Sequence, residues 1–160
     1  MDGLQTAKWE MVEAGGRTAQ SFGLNRLLGQ IYMLLYLSDE SLALDTLAKQ
    51  LGVSKASVSI ACRQLSSWGA VHRIWVKGDR RDYYSAETDF TRILVSGVLP
   101  SVAKKLDSAK VQIERSLKLL KENGPDGQKA DFLCKRLEDA DRYRTWVVRF
   151  MDNPMVQKFV

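Results

Sequence analysis

The segment LAKQLGVSKASVS, which runs from Leu47 to Ser59, decides the fold. Leu47 and Leu51 are spaced as the inward face of a short helix, predicted from residue 45 to 51. Gly52 can adopt the left-handed conformation that ends a helix, and Ser54 is a favourable N-cap for the next one. The segment therefore predicts two short helices joined by a tight turn, which is a helix-turn-helix.

The second of these helices is predicted from Lys55 to Trp68, and Gly69 ends it. Its inward stripe consists of Val58, Ala61 or Cys62, and Leu65. The outward face carries short and cationic side chains, which suit the DNA major groove because they allow close approach to base edges and phosphates. The alternative is a solvated amphipathic helix whose serines face water. The DNA-binding residues predicted here are Ser54, Lys55, Ala56, Ser57, Ser59, Ile60 and Arg63.

A β-hairpin is predicted directly after this helix. Residues 71–76 are rich in strand formers, residues 77–80 are typical of a turn, and residues 82–86 can return as a second strand. Seen alone, the tip is an ordinary charged turn. Next to a helix-turn-helix it predicts a wing that contacts the DNA backbone or a minor groove, with Asp79 orienting an arginine. The DNA-binding residues predicted for the wing are Lys77, Arg80 and Arg81.

The charge distribution supports a polyanionic partner. The chain of 160 residues has a net charge of +5. Between Val53 and Arg81 there are six basic residues and one acidic residue, so this stretch carries the whole excess. A basic surface this local favours double-stranded DNA as the partner.

Three stretches of the sequence together carry a family resemblance: Gly52–Ser59, Trp68–Val71 and Trp75–Tyr84. They resemble the MarR superfamily and, more narrowly, its GbsR-like branch, and the resemblance covers about residues 22–90. It implies a homodimeric regulator, usually a repressor, that binds an inverted-repeat operator. It also implies a small-molecule effector, which in the namesake of the branch is a quaternary ammonium compound.

The remaining sequence predicts flanking helices. Helices are predicted over residues 4–12, with an interruption or kink at Gly15-Gly16, and over 24–37, 101–121 and 129–151. A break or kink is predicted at Leu99-Pro100. The fold class is therefore mostly α with a small β-wing, a winged helix-turn-helix flanked by N- and C-terminal dimerisation helices. The predicted domains are 1–22, 23–90 and 91–160.

Dimerisation is expected because one recognition helix reads only a few base pairs, whereas a two-fold dimer doubles the contact. The long C-terminal helices are candidates for the dimer surface, and their other role is an intramolecular core. Any effector cage is expected to use aromatic side chains, since these attract quaternary ammonium ions. The dimerisation residues predicted are Val102, Leu106, Ala109, Ile113, Leu117 and Leu120. The aromatic candidates are Trp9, Phe22, Tyr32, Tyr36, Trp68, Trp75 and Trp146.

Other function classes find little support in the sequence. His72 is the single histidine, and no Cys or His cluster has metal-ligand spacing, so we expect no enzyme, cofactor or metal. No run of about 18 apolar residues predicts a membrane span. Cys62 and Cys134 are expected to be reduced thiols in a cytoplasmic protein. The main alternative is a winged-helix module that binds another protein, whose surface would have an apolar centre depleted in charge.

Overall fold

A computed structural model of the chain describes residues 2–123 and 127–153. The chain divides into two compact units, residues 1–97 and 98–160. The first unit contains α1 (Gly3–Ser21), α2 (Arg26–Tyr36), β1 (Leu42–Ala43), α3 (Leu44–Leu51), α4 (Lys55–Ser67), β2 (Val71–Ile74), β3 (Tyr83–Ala86) and α5 (Phe90–Ile93). A π-helical turn, Leu94–Val98, follows, and the second unit contains α6 (Leu99–Asn123) and α7 (Gln128–Met151).

The predicted winged helix-turn-helix is confirmed. Helices α3 and α4 pack against α2, and the three strands form an antiparallel sheet in the order β1-β3-β2. Strand β1 was not predicted, because two residues are too short to show an alternating pattern. The largest fully buried side chains of this unit are Val12, Ile31, Leu34, Leu47, Val58, Val71 and Cys62.

Side-chain caps fix where the helices begin. The carboxylate of Asp2 accepts a hydrogen bond from the backbone N–H of Gln5 at the start of α1. The side chain of Asn25 accepts one from Leu27 at 2.9 Å, so α2 begins at Arg26 rather than at Leu24. Each cap satisfies an N–H group that has no partner within its helix.

The predicted interruption at Gly15-Gly16 is wrong, because α1 continues through both glycines. Helices α1 and α2 cross at Gly15 and Gly29. A Cβ on Gly29 would lie 2.1 Å from the carbonyl oxygen of Gly15. Any side chain at Gly29 would therefore clash with the backbone of α1. The glycines therefore permit backbone contact between the helices, and this packing offsets their weak helix propensity.

Strand pairing and a backbone hydrogen bond hold the wing to the rest of the first unit. Leu42 pairs with Tyr84 and Ala43 with Tyr83, which joins β1 to the wing. The backbone N–H of Leu44, the first residue of α3, donates to the carbonyl oxygen of Asp82 at 2.8 Å. The wing, residues 71–86, is therefore hydrogen-bonded to the start of the helix-turn-helix.

The second unit is a pair of long helices in contact with each other. A break or kink was predicted at Leu99-Pro100. The helical backbone is not broken there, and a π-helical turn, Leu94–Val98, directly precedes these two residues. The irregular part of the helix therefore lies next to the proline. The predicted loop over residues 123–127 lies largely outside the described residues.

The predicted apolar faces of the long helices are only partly buried within the chain. In α6, Leu106, Ile113, Leu117 and Leu120 are half-buried, whereas Val102 and Ala109 are exposed. In α7, Leu133 and Tyr143 are 45% and 71% exposed, whereas Cys134 and Val148 are half-buried. Both helices therefore leave part of their apolar surface exposed.

Candidate DNA-binding surface

The turn between α3 and α4 has the predicted construction. Gly52 has φ = +65°, in the left-handed region, and its neighbour Val53 donates its N–H to the carbonyl of Ala48. The hydroxyl of Ser54 accepts from the N–H of Ser57 at 3.1 Å and caps α4. Ser54 and Ser57 are thus partly engaged in holding the helix start, in addition to lying where DNA contact was predicted.

The buried side of α4 also agrees with the sequence, and both alternatives of its stripe are inside. Ala61 is 5% exposed and Cys62 is fully buried. Burial raises the pKa of the Cys62 thiol to about 11, so the thiol stays protonated at neutral pH. This side chain is part of the core that fixes the orientation of α4.

The outward side of α4 presents what we call the reading face: Ala56, Ile60 and Arg63. These residues are exposed and follow helical spacing opposite the buried stripe. Ile60, at its centre, is 59% exposed. Ser57 and Ser59 are half-buried on opposite flanks, and the Arg63 guanidinium lies 3.4 Å from the Ser59 hydroxyl. The small side chain of Ala56 allows the helix to approach DNA closely, Ile60 can contact a thymine methyl group, and Arg63 can bind a guanine edge.

Lys55, predicted as a DNA contact, forms an ion pair within the protein. Its ammonium nitrogen lies 2.7 Å from a carboxylate oxygen of Asp45 on α3. Both side chains are exposed, so this ion pair is readily exchanged for another partner. A DNA contact by Lys55 would require a phosphate to replace Asp45.

At the wing, Asp79 holds Arg81 in place. Its carboxylate accepts hydrogen bonds from the backbone N–H of Arg81 and, at 2.6 and 2.9 Å, from the guanidinium. It also accepts from the hydroxyl of Tyr83. These hydrogen bonds, foremost those of the Arg81 side chain, hold the pKa of Asp79 well below its usual range. The structure agrees with the expectation that Asp79 orients an arginine.

The remaining basic residues of the wing differ in whether they are paired. Arg73 forms an ion pair with Asp82. Lys77 and Arg80 are exposed, and neither forms an ion pair with any residue that the structure describes. The uncompensated positive charge of the wing therefore resides on Lys77 and Arg80.

The first unit also contains a groove of about 340 Å³ between α1, α2 and the end of α4. Four aromatic side chains line the groove, and one of them, Phe90, is not among the aromatic candidates predicted from the sequence. Among the described residues that line the groove, none is charged. Tyr32 donates its hydroxyl to the carbonyl of Glu87 at 2.8 Å, and burial raises its pKa to about 12. The aromatic lining residues are Phe22, Tyr32, Trp68 and Phe90.

Two absences concern other functions. Within residues 2–123 and 127–153, no group of three or more His, Cys, Asp or Glu side chains is placed to hold a metal ion. None of the helices described is both long and apolar enough to cross a membrane.

Known proteins resemble this chain along nearly its whole length, although no protein-family model matches it. The HTH-type transcriptional repressor OpcR of Bacillus subtilis (strain 168) is 23% identical over 159 residues, which cover 95% of this chain and 86% of OpcR. The HTH-type transcriptional repressor GbsR of the same organism is 24% identical over 157 residues, covering 94% and 87%.

A solved structure described as a transcriptional regulator has the same fold, with a TM-score of 0.71 and 24% identity. The match covers 95% of this chain and 97% of that chain. The resemblance stated from the motifs between Gly52 and Tyr84 is confirmed: the chain is a homologue of HTH-type transcriptional regulators, similar to the GbsR-like branch of the MarR superfamily.

Proposed function

We propose that this protein is a ligand-responsive transcriptional repressor that binds an inverted-repeat operator in double-stranded DNA as a homodimer. One observation carries the proposal: the reading face and the two unpaired cations of the wing, Lys77 and Arg80, are exposed on one hydrogen-bonded unit. Its relatives OpcR and GbsR are named as HTH-type transcriptional repressors.

The alternative, a module that docks another protein, fits this surface less well. A docking surface is expected to have an apolar centre depleted in charge. Ile60 is a single aliphatic side chain in the reading face, next to Arg63. Such a side chain also suits DNA, because it can contact the methyl group of thymine.

Salt dependence of DNA binding tests the role of the wing cations. We expect the double variant Lys77→Ala/Arg80→Ala to bind its operator more weakly than the unaltered protein. The slope of log K against log salt should become shallower by about 3.6, because the variant removes two phosphate contacts from each chain of the dimer and each lost contact removes about 0.9. Fluorescence anisotropy with the duplex upstream of the gene, at several salt concentrations, measures both quantities.

The control for this experiment is Lys104→Ala/Lys105→Ala on α6, which removes the same charge from two exposed residues. It should leave the slope close to that of the unaltered protein. Equal slopes for the wing variant and the unaltered protein would contradict the role of the wing. Saturation of the operator should occur at two chains per duplex, which checks the homodimer.

The dimer surface is proposed to include the exposed apolar side chains of α6 and α7. Two helices alone bury little of their surface, and no described side chain of α6 or α7 is fully buried. Apolar side chains exposed along two neighbouring helices favour a partner, and a second copy supplies one by symmetry. The most exposed large apolar residues described on α6 and α7 are Val111, Leu119, Phe132, Tyr143, Trp146 and Phe150.

The effector is proposed to occupy the groove between α1, α2 and the end of α4. Its volume lies within the range of small-molecule sites, and four aromatic rings can attract a quaternary ammonium ion through their faces. Trp68 directly follows the recognition helix α4, so a bound molecule would contact the same element that supports the reading face. This gives the groove a physical route to DNA affinity.

Calorimetric titration with choline, glycine betaine and 3,3-dimethyl-1-butanol tests the effector. The last compound has the shape of choline but no charge. If the rings bind the cation, choline should bind about tenfold more tightly than its neutral analogue, since cation–π attraction contributes about 0.5–2 kcal/mol. Phe90→Leu should reduce this difference. An absence of heat with millimolar choline and betaine would exclude the quaternary ammonium effector.

A further inference from the structure

Trp75 is the most exposed tryptophan of the described chain, at 79%. It directly follows β2, in the segment between the last paired residue of the strand and the turn. Its neighbours Ile74 and Val76 are half-buried, so the exposed indole lies between two side chains that are partly covered. An indole left in water forgoes a large gain from apolar burial, so its exposure in the wing favours a partner surface that covers it.

The surroundings of Trp75 supply the chemistry of that partner. Trp75 borders a concave surface of about 540 Å³ on the wing, together with three arginines and two aspartates. Two of the arginines are paired, Arg73 with Asp82 and Arg81 with Asp79. Arg80 has no ion-pair partner among the residues that the structure describes. The concave surface therefore places a flat apolar ring beside one uncompensated guanidinium.

An effector cage does not explain this tryptophan. No described aromatic ring stacks on Trp75, and it does not line the groove between α1 and α2. A DNA strand offers both complements of the wing surface, because each nucleotide carries an anionic phosphate next to the apolar face of a deoxyribose. Proteins that bind the minor groove also use apolar side chains in contact with DNA, most often inserted between base steps.

We propose that Trp75 is an apolar DNA contact of the wing. Its indole packs against a deoxyribose bordering the minor groove, while Arg80 binds the adjacent phosphate. This inference rests on the proposed operator binding and adds a specific contact to it. It separates two contributions within one wing: Arg80 supplies a contact that depends on salt, and Trp75 supplies one that does not.

Operator affinity at several salt concentrations tests the assignment with Trp75→Ala, Trp75→Phe and Arg80→Ala. Trp75→Ala should weaken binding about tenfold without changing the salt slope, because it removes no charge. Trp75→Phe should stay within about threefold of the unaltered protein, since it keeps a ring. Arg80→Ala should weaken binding and make the slope shallower by about two, because one phosphate contact is lost from each chain of the dimer. Leu4→Ala truncates a side chain that is 81% exposed on α1 and should have no effect.

The outcomes separate this inference from the proposed function. Tight operator binding by the unaltered protein, with the same affinity for Trp75→Ala, would overturn the role of Trp75 and leave the function intact. A shallower salt slope for Trp75→Ala, or equal losses for Trp75→Phe and Trp75→Ala, would also overturn it. Failure of the unaltered protein to bind any duplex at low salt would overturn both. Unchanged melting temperatures of the variants show that the differences arise from DNA contact.

Discussion

Ile60→Glu is expected to lower operator affinity at least about a hundredfold, which corresponds to about 2.7 kcal/mol. Ile60 lies at the centre of the reading face, so the new carboxylate would face the phosphates and base edges of the groove. The variant loses a contact to a base and also places an unpaired negative charge in a desolvated interface, and both changes weaken binding. The free energy of unfolding should change by less than about 0.5 kcal/mol, because the side chain is exposed.

Two matched variants isolate the reason for this loss. Ile60→Gln has the size of the glutamate without its charge, and we expect a loss of about tenfold or less. Gln20→Glu adds the same charge on the exposed side of α1 and should leave affinity unchanged. Operator binding by Ile60→Glu as tight as that of the unaltered protein would place the DNA contact on another surface. Anisotropy titration measures affinity, and thermal unfolding confirms that each variant is folded.

Gly29→Ala is expected to destabilise the fold by about 2 kcal/mol, within the usual range for adding a methyl group to a packed interior. The added Cβ would lie 2.1 Å from the carbonyl oxygen of Gly15 and 2.9 Å from the Cβ of Ala19. The first of these atoms is backbone, so α1 and α2 must separate. The higher helix propensity of alanine, about 1 kcal/mol, offsets part of this cost. For a chain of this size, the Tm should fall by about 4–8 °C.

Gly3→Ala is the matched control, because a Cβ at Gly3 meets no atom within 4 Å. Its Tm should equal or slightly exceed that of the unaltered protein. Both variants are compared at one protein concentration, since association with a second copy would add to the apparent stability. A Tm for Gly29→Ala at or above the unaltered value would show that the two helices do not require this close contact.

The sequence predicted the parts of the fold whose signals are local. The left-handed turn at Gly52, the cap at Ser54 and the buried stripe around Val58 each follow from a few neighbouring residues, and the structure contains all three. The Gly15-Gly16 pair was misinterpreted because its partner, Gly29, lies on the next helix. Nothing in local periodicity distinguishes a glycine that ends a helix from one that receives another backbone.

The same distinction applies to the candidate site. The DNA-binding residues themselves stay predictions, but the structure shows how their side chains are held. Asp79 and Arg81 are close neighbours in the sequence, so the hydrogen bond between their side chains could be predicted. The pairing of Lys55 with Asp45 spans two helices, and the exposure of Trp75 depends on where the sheet ends. Contacts of this kind require the tertiary structure.

The bonds between Leu44 and Asp82 and between β1 and β3 have a consequence for the shape of DNA that the protein would accept. They join the start of α3 to the wing, so the distance between the reading face and Lys77 and Arg80 is fixed by a sheet rather than by a loop. Phosphate contacts carry no sequence information, so the wing would bind any duplex whose backbone lies at this distance from the bases next to α4. The protein has a sheet, not a hinge, at this position. We therefore expect it to distinguish duplexes by the width of the groove beside the bases that it reads, even where those bases are the same.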